Sequence, residues 1–234
     1  MSKKVAILQS NYIPWKGYFD LINMVDEFIF YDDVQYTKND WRNRNIIKTI
    51  SGPKWITIPV RQLCLDQKIL ETKTLNDAWR RKHWNMIKSN YVRAPFFDNF
   101  RDIFEDLYLN KKEVLLCQIN YSFIKTINSI LGIKTKLSSS VDYKLTDGKT
   151  KRLVDLCKQA GATENLSGPA AKNYIDENLF KEENIKLSWI DYAGYREYSQ
   201  LNSPFIHEVS IIDLIFNHGE NSKTYMKSFQ TICI

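Results

Sequence analysis

The sequence is poor in the residues that build metal and redox sites, since it contains only three histidines and four cysteines among 234 residues. No two cysteines form a CxxC pair, and neither residue type shows the spacing of metal ligands, so we expect no metal site. Widely spaced cysteines are typical of free thiols in a reducing compartment, and we expect them to be buried. They are Cys64, Cys117, Cys157 and Cys233.

Long apolar runs are also missing. The N-terminal residues 1–4 lead directly into a short apolar segment, whereas a signal peptide needs a longer one and a membrane span needs about twenty apolar residues. The sequence therefore predicts a soluble cytoplasmic protein with no membrane span. A Walker loop and the glycine patterns GxGxxG and GxSxG are absent as well, so the motifs of common nucleotide-binding and hydrolase sites are excluded.

Positive charge exceeds negative charge by six, because Lys and Arg number 33 whereas Asp and Glu number 27. This balance favours anionic partners such as phosphates or nucleotides. It does not indicate a dedicated nucleic-acid-binding protein, because the chain has no basic tail, zinc-finger spacing or aromatic-glycine RNA motif. Aromatic residues make up 13% of the chain, which fits either a tyrosine-rich core or a stacking or sugar-binding cleft.

The order of apolar segments predicts an α/β fold with a mostly parallel sheet. Residues 5–8 form a short apolar run, residues 18–24 have helical spacing, and residues 28–31 form a second apolar run. This βαβ order is nearly always right-handed and parallel. It resembles the N-terminal topology of Rossmann-like and nucleotidylyltransferase-like folds. We expect helices to flank the sheet and a helical insertion to occupy the middle of the chain.

The remaining segments continue the α/β pattern. We predict a hairpin from residues 45–49 and 55–60, strands over 135–139, 164–167 and 185–190, and helices over 76–91, 96–109, 112–131, 150–160 and 210–216, with one more from Pro169 to about residue 179. The length favours a single domain over residues 1–234. The alternative is a subdivision into an N-terminal α/β part, 1–109, and a C-terminal α/β part, 110–234.

Polar and aromatic side chains follow the first two predicted strands, at the point where each strand ends. In a parallel α/β sheet, ligands bind outside the carboxyl ends of the strands, so these two loops are the predicted site. A merely solvated loop is the alternative, but it gains nothing from exposing so many aromatic rings. The candidate binding residues of the two loops are Gln9, Asn11, Tyr12, Trp15, Gly17, Tyr18, Gln35, Tyr36, Lys38, Trp41, Arg42, Asn43 and Arg44.

The residue types in the second loop suit different parts of a small polar ligand. Arg42 and Arg44 could clamp a phosphate or a carboxylate, because a guanidinium donates in a fork that matches both groups. Trp41 or Tyr36 could stack on a sugar or a base. The loops therefore predict one cleft, shared by Gln9, Asp32 and Arg42, in which amides, acids, guanidinium groups and aromatic rings converge on one small molecule.

A distinctive pattern of segments extends over nearly the whole chain: residues 9–18, 28–36, 41–44 and 55–60, Trp79, His83, Tyr91, Ala94-Pro95, residues 166–169, Tyr174, Tyr198, Gln200, residues 210–213, Asn217 and Gly219. This pattern resembles the WbqC-like protein family. On this ground Ser167 joins the candidate binding residues. The family typically has His-Gln-Pro where this chain has Leu8-Gln9-Ser10, so a role of that histidine does not transfer.

The resemblance implies a place in the biosynthesis of bacterial surface polysaccharide, since the family belongs to O-antigen (lipopolysaccharide) clusters. It implies a cytoplasmic transferase that acts on a sugar nucleotide. The reaction would be transfer of an acyl or aminoacyl group onto a nucleotide-linked amino-sugar, forming an amide. The implied partners are therefore a sugar nucleotide and an acyl or aminoacyl donor.

Amide formation needs a base that accepts a proton from the sugar amine. His83 is the first candidate, because imidazole titrates near neutral pH, although a histidine on an aromatic-rich helix fits a buried core position equally well. Asp32 and Asp33 are the next candidates, and their carboxylates could instead bind ribose hydroxyls or hold a divalent ion. His207 and His218 lie in segments flanked by Pro, Asn and Gly, and we expect them at the surface.

Two other functions stay open. An ATP-dependent amide ligase fits the predicted topology, but such folds use an HxGH-type motif on the ATP phosphates, and residues 14–18 contain no histidine. A non-catalytic binding subunit of a glycan-assembly complex would show a large apolar surface patch and no enclosed cleft. The cofactor is therefore unknown from the sequence, with an acyl donor or ATP as the candidates.

Overall fold

Short strands and helices alternate along residues 2–230, the part of the chain that the computed structural model describes. The strands are β1 (Lys4–Leu8), β2 (Glu27–Phe30), β3 (Arg44–Thr49), β4 (Gly52–Thr57), β5 (Val60–Arg61), β6 (Lys73–Thr74), β7 (Lys136–Ser139), β8 (Glu164–Ser167) and β9 (Lys186–Trp189). The α-helices are α1 (Lys16–Asn23), α2 (Ala78–Tyr91), α3 (Phe97–Leu109), α4 (Leu116–Leu131), α5 (Lys149–Gln159), α6 (Glu177–Glu182) and α7 (Ile211–His218).

The main sheet contains five parallel strands in the spatial order β7-β2-β1-β8-β9. The next two strands of this sheet along the chain, β2 and β7, lie on one side of β1. The last two, β8 and β9, lie on its other side. The strand order therefore reverses between β1 and β8, and this switch point is where doubly wound sheets bind their ligands. The predicted α/β fold with a mostly parallel sheet is confirmed. The predicted hairpin, β3-β4, is confirmed as a separate antiparallel pair.

Helices cover both faces of the main sheet, because side chains alternate between the two faces along each strand. On β1, Val5 and Ile7 pack with α5 and α6, whereas Ala6 belongs to the larger core that α1–α4 and α7 share. The helices α2, α3 and α4 form the helical insertion, which lies between β2 and β7 in the chain. Among the helices of residues 2–230, none combines the length and the apolar character that crossing a membrane requires.

Two predicted helices differ from the structure. The helix α4 begins at Leu116 instead of residue 112, because the preceding residues pair as extended chain and Thr74 N–H donates to the carbonyl of Val114 at 2.9 Å. The helix predicted after Pro169 is a short 3-10 turn, Pro169–Asn173, followed by α6. Asp176 starts that second helix as its N-cap, since its side chain accepts a backbone N–H of the first turn.

The cysteines are free thiols in the part of the chain that is described, but their burial differs. Cys157 is buried and Cys117 is half-buried, whereas Cys64 is exposed. The expectation of burial is therefore wrong for Cys64, because it lies in the exposed connection between β5 and β6. Cys233 lies outside the described residues.

Residues 190–209, which we call the C-terminal coil, connect β9 to α7 without forming a helix or a strand. Buried side chains nevertheless hold this coil against the core. Tyr195 donates its hydroxyl to Asp20 at 2.6 Å, and Tyr198 donates its hydroxyl to Asp213 at 2.9 Å. The Lys16 ammonium donates to a coil carbonyl at 3.1 Å. Because these partners belong to α1 and α7, the coil is fixed to two helices of the main core.

The ionisation of Glu27, at the start of β2, makes the stability of the fold depend on pH. Its carboxylate is buried and accepts hydrogen bonds from Lys3 Nζ at 2.7 Å, Ser138 Oγ at 2.6 Å and Tyr143 OH at 2.6 Å. Burial by itself raises the pKa of Glu27, but these hydrogen bonds and that of Lys136 outweigh it and lower the pKa from 4.5 to about 2. Because the pKa is lower in the folded state, the ionised Glu27 stabilises the fold above pH 4.5. This stabilisation is lost as the pH falls toward 2 and the carboxylate is protonated.

We therefore expect Glu27→Gln to lower the free energy of unfolding by about 2 kcal/mol at pH 7, with a much smaller loss near pH 2. Urea unfolding at the two pH values measures both differences. The exposed Glu220 supplies the control variant Glu220→Gln, which should change stability little at either pH. An equal loss at both pH values would contradict the stabilising role of the charge.

Candidate ligand-binding cleft

The loop after β1 holds a strained backbone at the carboxyl edge of the sheet. Ile13 has a φ of 36°, a region that β-branched residues rarely adopt and that costs about 1–3 kcal/mol. Asn45, on β3, donates its side-chain N–H groups to the carbonyls of Tyr12 at 3.0 Å and Ile13 at 3.1 Å. Tyr12 N–H donates to the carbonyl of Trp41 at 3.0 Å. The hairpin and the second loop therefore hold this turn in place.

Trp15 connects the loop after β1 to the C-terminal coil. Its indole makes edge-to-face contacts with the rings of Tyr192 and Tyr195, at centroid distances of 5.1 and 5.4 Å. The indole also covers Gly17, where a Cβ atom would lie only 2.3 Å from Cζ2 of Trp15. Gly17 is thus required for the close approach of the indole.

A cleft of about 630 Å³ opens between the loop after β1 and the C-terminal coil. Its size suits a small molecule, and its walls combine aromatic rings with a few polar side chains. We call it the aromatic cleft. It is lined by Asn11, Pro14, Trp15, Trp41, Asn45, Tyr192, Gly194, Tyr195, His207 and Glu208. Three predicted binding residues, Asn11, Trp15 and Trp41, are therefore among its lining.

Arg42 joins the two predicted loops beside this cleft. Its guanidinium donates to the side-chain oxygen of Asn11 and, at 3.1 Å, to that of Gln9. It also lies 3.4 Å from a carboxylate oxygen of Asp40. The Arg42 side chain is 16% exposed, so part of its charge can still reach a ligand. The structure thus brings Gln9, Asn11 and Arg42 together at the carboxyl edge, whereas Asp32, which the sequence predicts in the same cleft, is not among the residues that line the aromatic cleft.

Asp32 and Asp33 face different surroundings, because successive side chains point to opposite sides of an extended chain. Asp32 accepts the backbone N–H of Ser10 at 2.8 Å and lines a second cleft of about 580 Å³ beside α4. Burial raises the pKa of Asp32, although the Ser10 hydrogen bonds and the charge of Arg42 oppose it. Asp33 is buried and bonded to the Ser140 hydroxyl and to an arginine of α5. The two carboxylates therefore do not share one site.

His83 lies in a buried cluster of aromatic side chains. Its Nδ1 is 2.9 Å from the Tyr12 hydroxyl, which is 2.6 Å from the hydroxyl of Tyr108. Burial lowers the pKa of His83 to about 4, so the imidazole is neutral at pH 7. It borders a third cleft of about 490 Å³, between β4 and α2, and is not among the residues that line the aromatic cleft. Its catalytic role stays a prediction that the geometry does not favour.

Three other predicted residues are buried and serve the fold locally. Tyr18 donates its hydroxyl to the carbonyl of Gln9 at 2.9 Å. Asn43 donates its side-chain amide to the carbonyl of Ile58 at 2.9 Å. Ser167 is buried at the carboxyl end of β8. These residues shape the edge of the sheet without lining the aromatic cleft.

The other predicted residues of the second loop are not among the residues that line the aromatic cleft. Arg44 lies over the ring of Trp55 at 4.2 Å, and it does not share the partners of Arg42. Tyr36 and Lys38 line a separate surface depression. Gln35 donates its side-chain amide to a backbone carbonyl at 2.6 Å. The residues of the predicted second loop therefore do not share one surface. Trp41 lines the aromatic cleft, Tyr36 and Lys38 line the separate depression, and Arg44 packs on Trp55.

The second wall of the aromatic cleft is absent from the sequence prediction. It consists of Tyr192, Gly194, Tyr195, His207 and Glu208, all in the C-terminal coil. The coil has neither helical nor strand periodicity, so the sequence pattern does not predict where the coil lies relative to the sheet. The available signal is its regular spacing of tyrosines, every third residue from 192 to 198.

Within residues 2–230, no three His, Cys, Asp or Glu side chains form a group that could hold a metal ion.

Comparisons with known proteins agree with the resemblance seen in the sequence. The model of the WbqC-like protein family matches residues 9–225. A relative from Mycobacterium tuberculosis (strain ATCC 25618 / H37Rv), "Uncharacterized protein Rv1507c", is 51% identical over 226 residues, which cover 96% of this chain and 98% of that protein. No solved structure matches the chain significantly. The family match includes both walls of the aromatic cleft.

Gly17→Ala should disturb the aromatic cleft by pushing the Trp15 indole away. Alanine favours a helix by up to about 1 kcal/mol, but the close contact with Trp15 acts against it, and we expect a net loss of about 1–3 kcal/mol from overpacking. Urea unfolding measures the loss, and tryptophan fluorescence reports the moved indole. The matched control is Gly168→Ala, because a Cβ at Gly168 meets nothing within 4 Å. Equal behaviour of the two variants would contradict the packing role of Gly17.

Proposed function

Because the chain belongs to the WbqC-like protein family, we propose that it acts in surface-polysaccharide biosynthesis in the cytoplasm. The proposed reaction transfers an acyl or aminoacyl group onto a nucleotide-linked amino-sugar and forms an amide. One observation carries this proposal. The aromatic cleft presents four aromatic rings at the carboxyl edge of a parallel sheet, and its lining residue Asn11 accepts a hydrogen bond from the partly exposed guanidinium of Arg42.

The rings of the cleft suit the apolar faces of a sugar and a nucleobase. Trp15 and Trp41 come from the two loops at the strand ends, and Tyr192 and Tyr195 come from the C-terminal coil. Aromatic side chains bind such faces by stacking and edge contacts, and a tyrosine or tryptophan adds one polar group. A cleft of about 630 Å³ is within the range for a ligand of this size.

Arg42 supports the binding of a diphosphate. It is bonded to Asn11 and Gln9 in the loop that follows β1, at the carboxyl edge of the sheet where doubly wound folds bind their ligands. A guanidinium binds phosphate oxygens with two parallel N–H donors. Gln9 and Asn11 fix its orientation through their side-chain oxygens. This arrangement favours a ligand that joins an anionic part to a ring system.

Asn11 supplies a hydrogen-bond donor for the transfer step. Its side-chain oxygen accepts from Arg42, so its amide N–H groups are directed away from that contact. Asn11 lines the cleft, where such a donor could stabilise the oxyanion of a tetrahedral intermediate. Amide formation from an activated acyl donor needs this stabilisation and a base for the amine.

The test of the proposal is product formation by the purified protein. UDP-glucosamine supplies a nucleotide-linked amine, and acetyl-coenzyme A or a glycyl ester supplies the acyl group. The proposal expects a new amide by mass spectrometry without ATP. Amide formation only from a free acid with ATP, accompanied by release of pyrophosphate, would instead indicate a ligase. Binding of UDP-glucosamine with neither product would indicate a binding subunit.

Arg42→Ala should weaken the binding of UDP-glucosamine by about 10- to 100-fold, because a hydrogen bond to a charged group contributes about 1.5–3 kcal/mol. Isothermal titration calorimetry measures the change. Arg44→Ala is the matched control, since Arg44 lies over Trp55 and should alter affinity less than about threefold.

Thermal melting of both variants separates a loss of binding from a loss of folding. If Arg42→Ala binds UDP-glucosamine as tightly as the wild type, Arg42 does not contact the diphosphate. An equal loss of affinity in both variants would indicate that UDP-glucosamine responds to the net charge of the protein and makes no specific contact with Arg42.

A further inference from the structure

The aromatic cleft contains one imidazole, that of His207. His207 lies in the C-terminal coil, where it is half-buried, and its ring meets the ring of Phe205 edge-to-face at 4.5 Å. The sequence places His207 in a segment expected at the surface, but the fold brings it opposite the loop after β1. Imidazole is the commonest general base in proteins, so its position in the cleft bears directly on the chemistry.

The other histidines of the described chain are engaged elsewhere. His83 is bonded to the Tyr12 hydroxyl in the buried aromatic cluster and borders the third cleft. His218 has its Nε2 at 3.1 Å from the carbonyl of Ser199 and is not among the lining residues of any of these clefts. His207 is therefore the histidine that the fold makes available to a ligand in the aromatic cleft.

The remaining titratable groups of the cleft fit the task less well. Burial and nearby Asp20 raise the pKa of Tyr192 to about 12. The same causes raise the pKa of Tyr195 well above its ordinary value, and its hydroxyl already donates to Asp20. Both phenols are therefore protonated at neutral pH. Glu208 is exposed to solvent at the rim, whereas His207 is half-buried.

A chain of hydrogen bonds fixes the backbone next to His207. The side-chain amide of Gln200 donates to the carbonyl of Ile206 at 2.8 Å, and Ile206 N–H donates back to the Gln200 side-chain oxygen at 2.9 Å. The buried Lys48 donates its ammonium to the same oxygen at 2.6 Å. A general base must be held within hydrogen-bond reach of its proton. This clamp gives His207 a fixed place on a segment that has no regular secondary structure.

We infer that His207 is the proton acceptor of the aromatic cleft, an inference that rests on the proposed function. The sugar amine attacks the carbonyl carbon of a thioester or ester, and a C–N bond forms. His207 takes a proton from the positively charged nitrogen of the tetrahedral intermediate. When the C–S or C–O bond breaks, the imidazolium returns that proton to the leaving thiolate or alkoxide. The products are an amide and a thiol or alcohol, and the imidazole is neutral again.

The test compares His207→Ala with His218→Ala in steady-state kinetics on UDP-glucosamine and the acyl donor that the wild type uses. We expect His207→Ala to lower kcat by about 10²- to 10⁴-fold while KM for UDP-glucosamine changes less than about threefold. Free imidazole added to His207→Ala should restore part of the rate, because it can occupy the space of the missing ring. His218→Ala should keep kcat within about twofold of the wild type.

A second variant, His207→Gln, keeps a polar side chain that cannot accept the proton, and it should be as slow as His207→Ala. An unchanged kcat in His207→Ala overturns the inference, and so does a slow variant that imidazole does not restore. In either case the wild-type amide product leaves the proposed function standing. If the wild type binds UDP-glucosamine but forms no amide, the proposed transfer and the role of His207 fail together.

Discussion

Four buried ionisable side chains hold the C-terminal coil, and the aromatic cleft depends on them. Asp20 and Asp213 accept tyrosine hydroxyls of the coil, while Lys16 and Lys48 donate to its carbonyl or amide oxygens. A hydrogen bond to a charged group contributes about 1.5–3 kcal/mol. Removing the partner of a buried charge is costlier still, since the charge then stays in the core without compensation. A segment without helix or strand thereby becomes a fixed wall.

Burial opposes the charged form of two of these groups, Lys16 and Asp213. Burial lowers the pKa of Lys16 to about 8, although Asp20 and Asp213 oppose it. Burial likewise raises the pKa of Asp213, although Tyr198 and Tyr91 stabilise its charge. A small number of specific partners thus offset part of the cost of burying these charges. Most of these partners lie on the coil or on the helices beneath it, so the geometry of the cleft and the ionisation of the core are coupled.

The strand-end site could be predicted from sequence, whereas the opposite wall could not. The carboxyl ends of adjacent parallel strands meet at one edge, which is enough to bring Gln9, Asn11 and Arg42 together, although Asp32 lines a different cleft. The coil follows no such rule. Its place is set by contacts between residues far apart in the chain, such as Tyr195 with Asp20, which are 175 positions apart. Residue type alone also leaves the role of His83 open, because it does not distinguish a structural imidazole from a catalytic one.

The most direct measurement of the central claim is a crystal structure of the protein with UDP-glucosamine bound. The account predicts electron density for the ligand between Trp15 and the tyrosines of the C-terminal coil, with the diphosphate directed toward Arg42 and the sugar amine near His207. Density in the cleft beside Asp32, or in the cleft beside His83, would contradict the account and move the site to another surface of the fold.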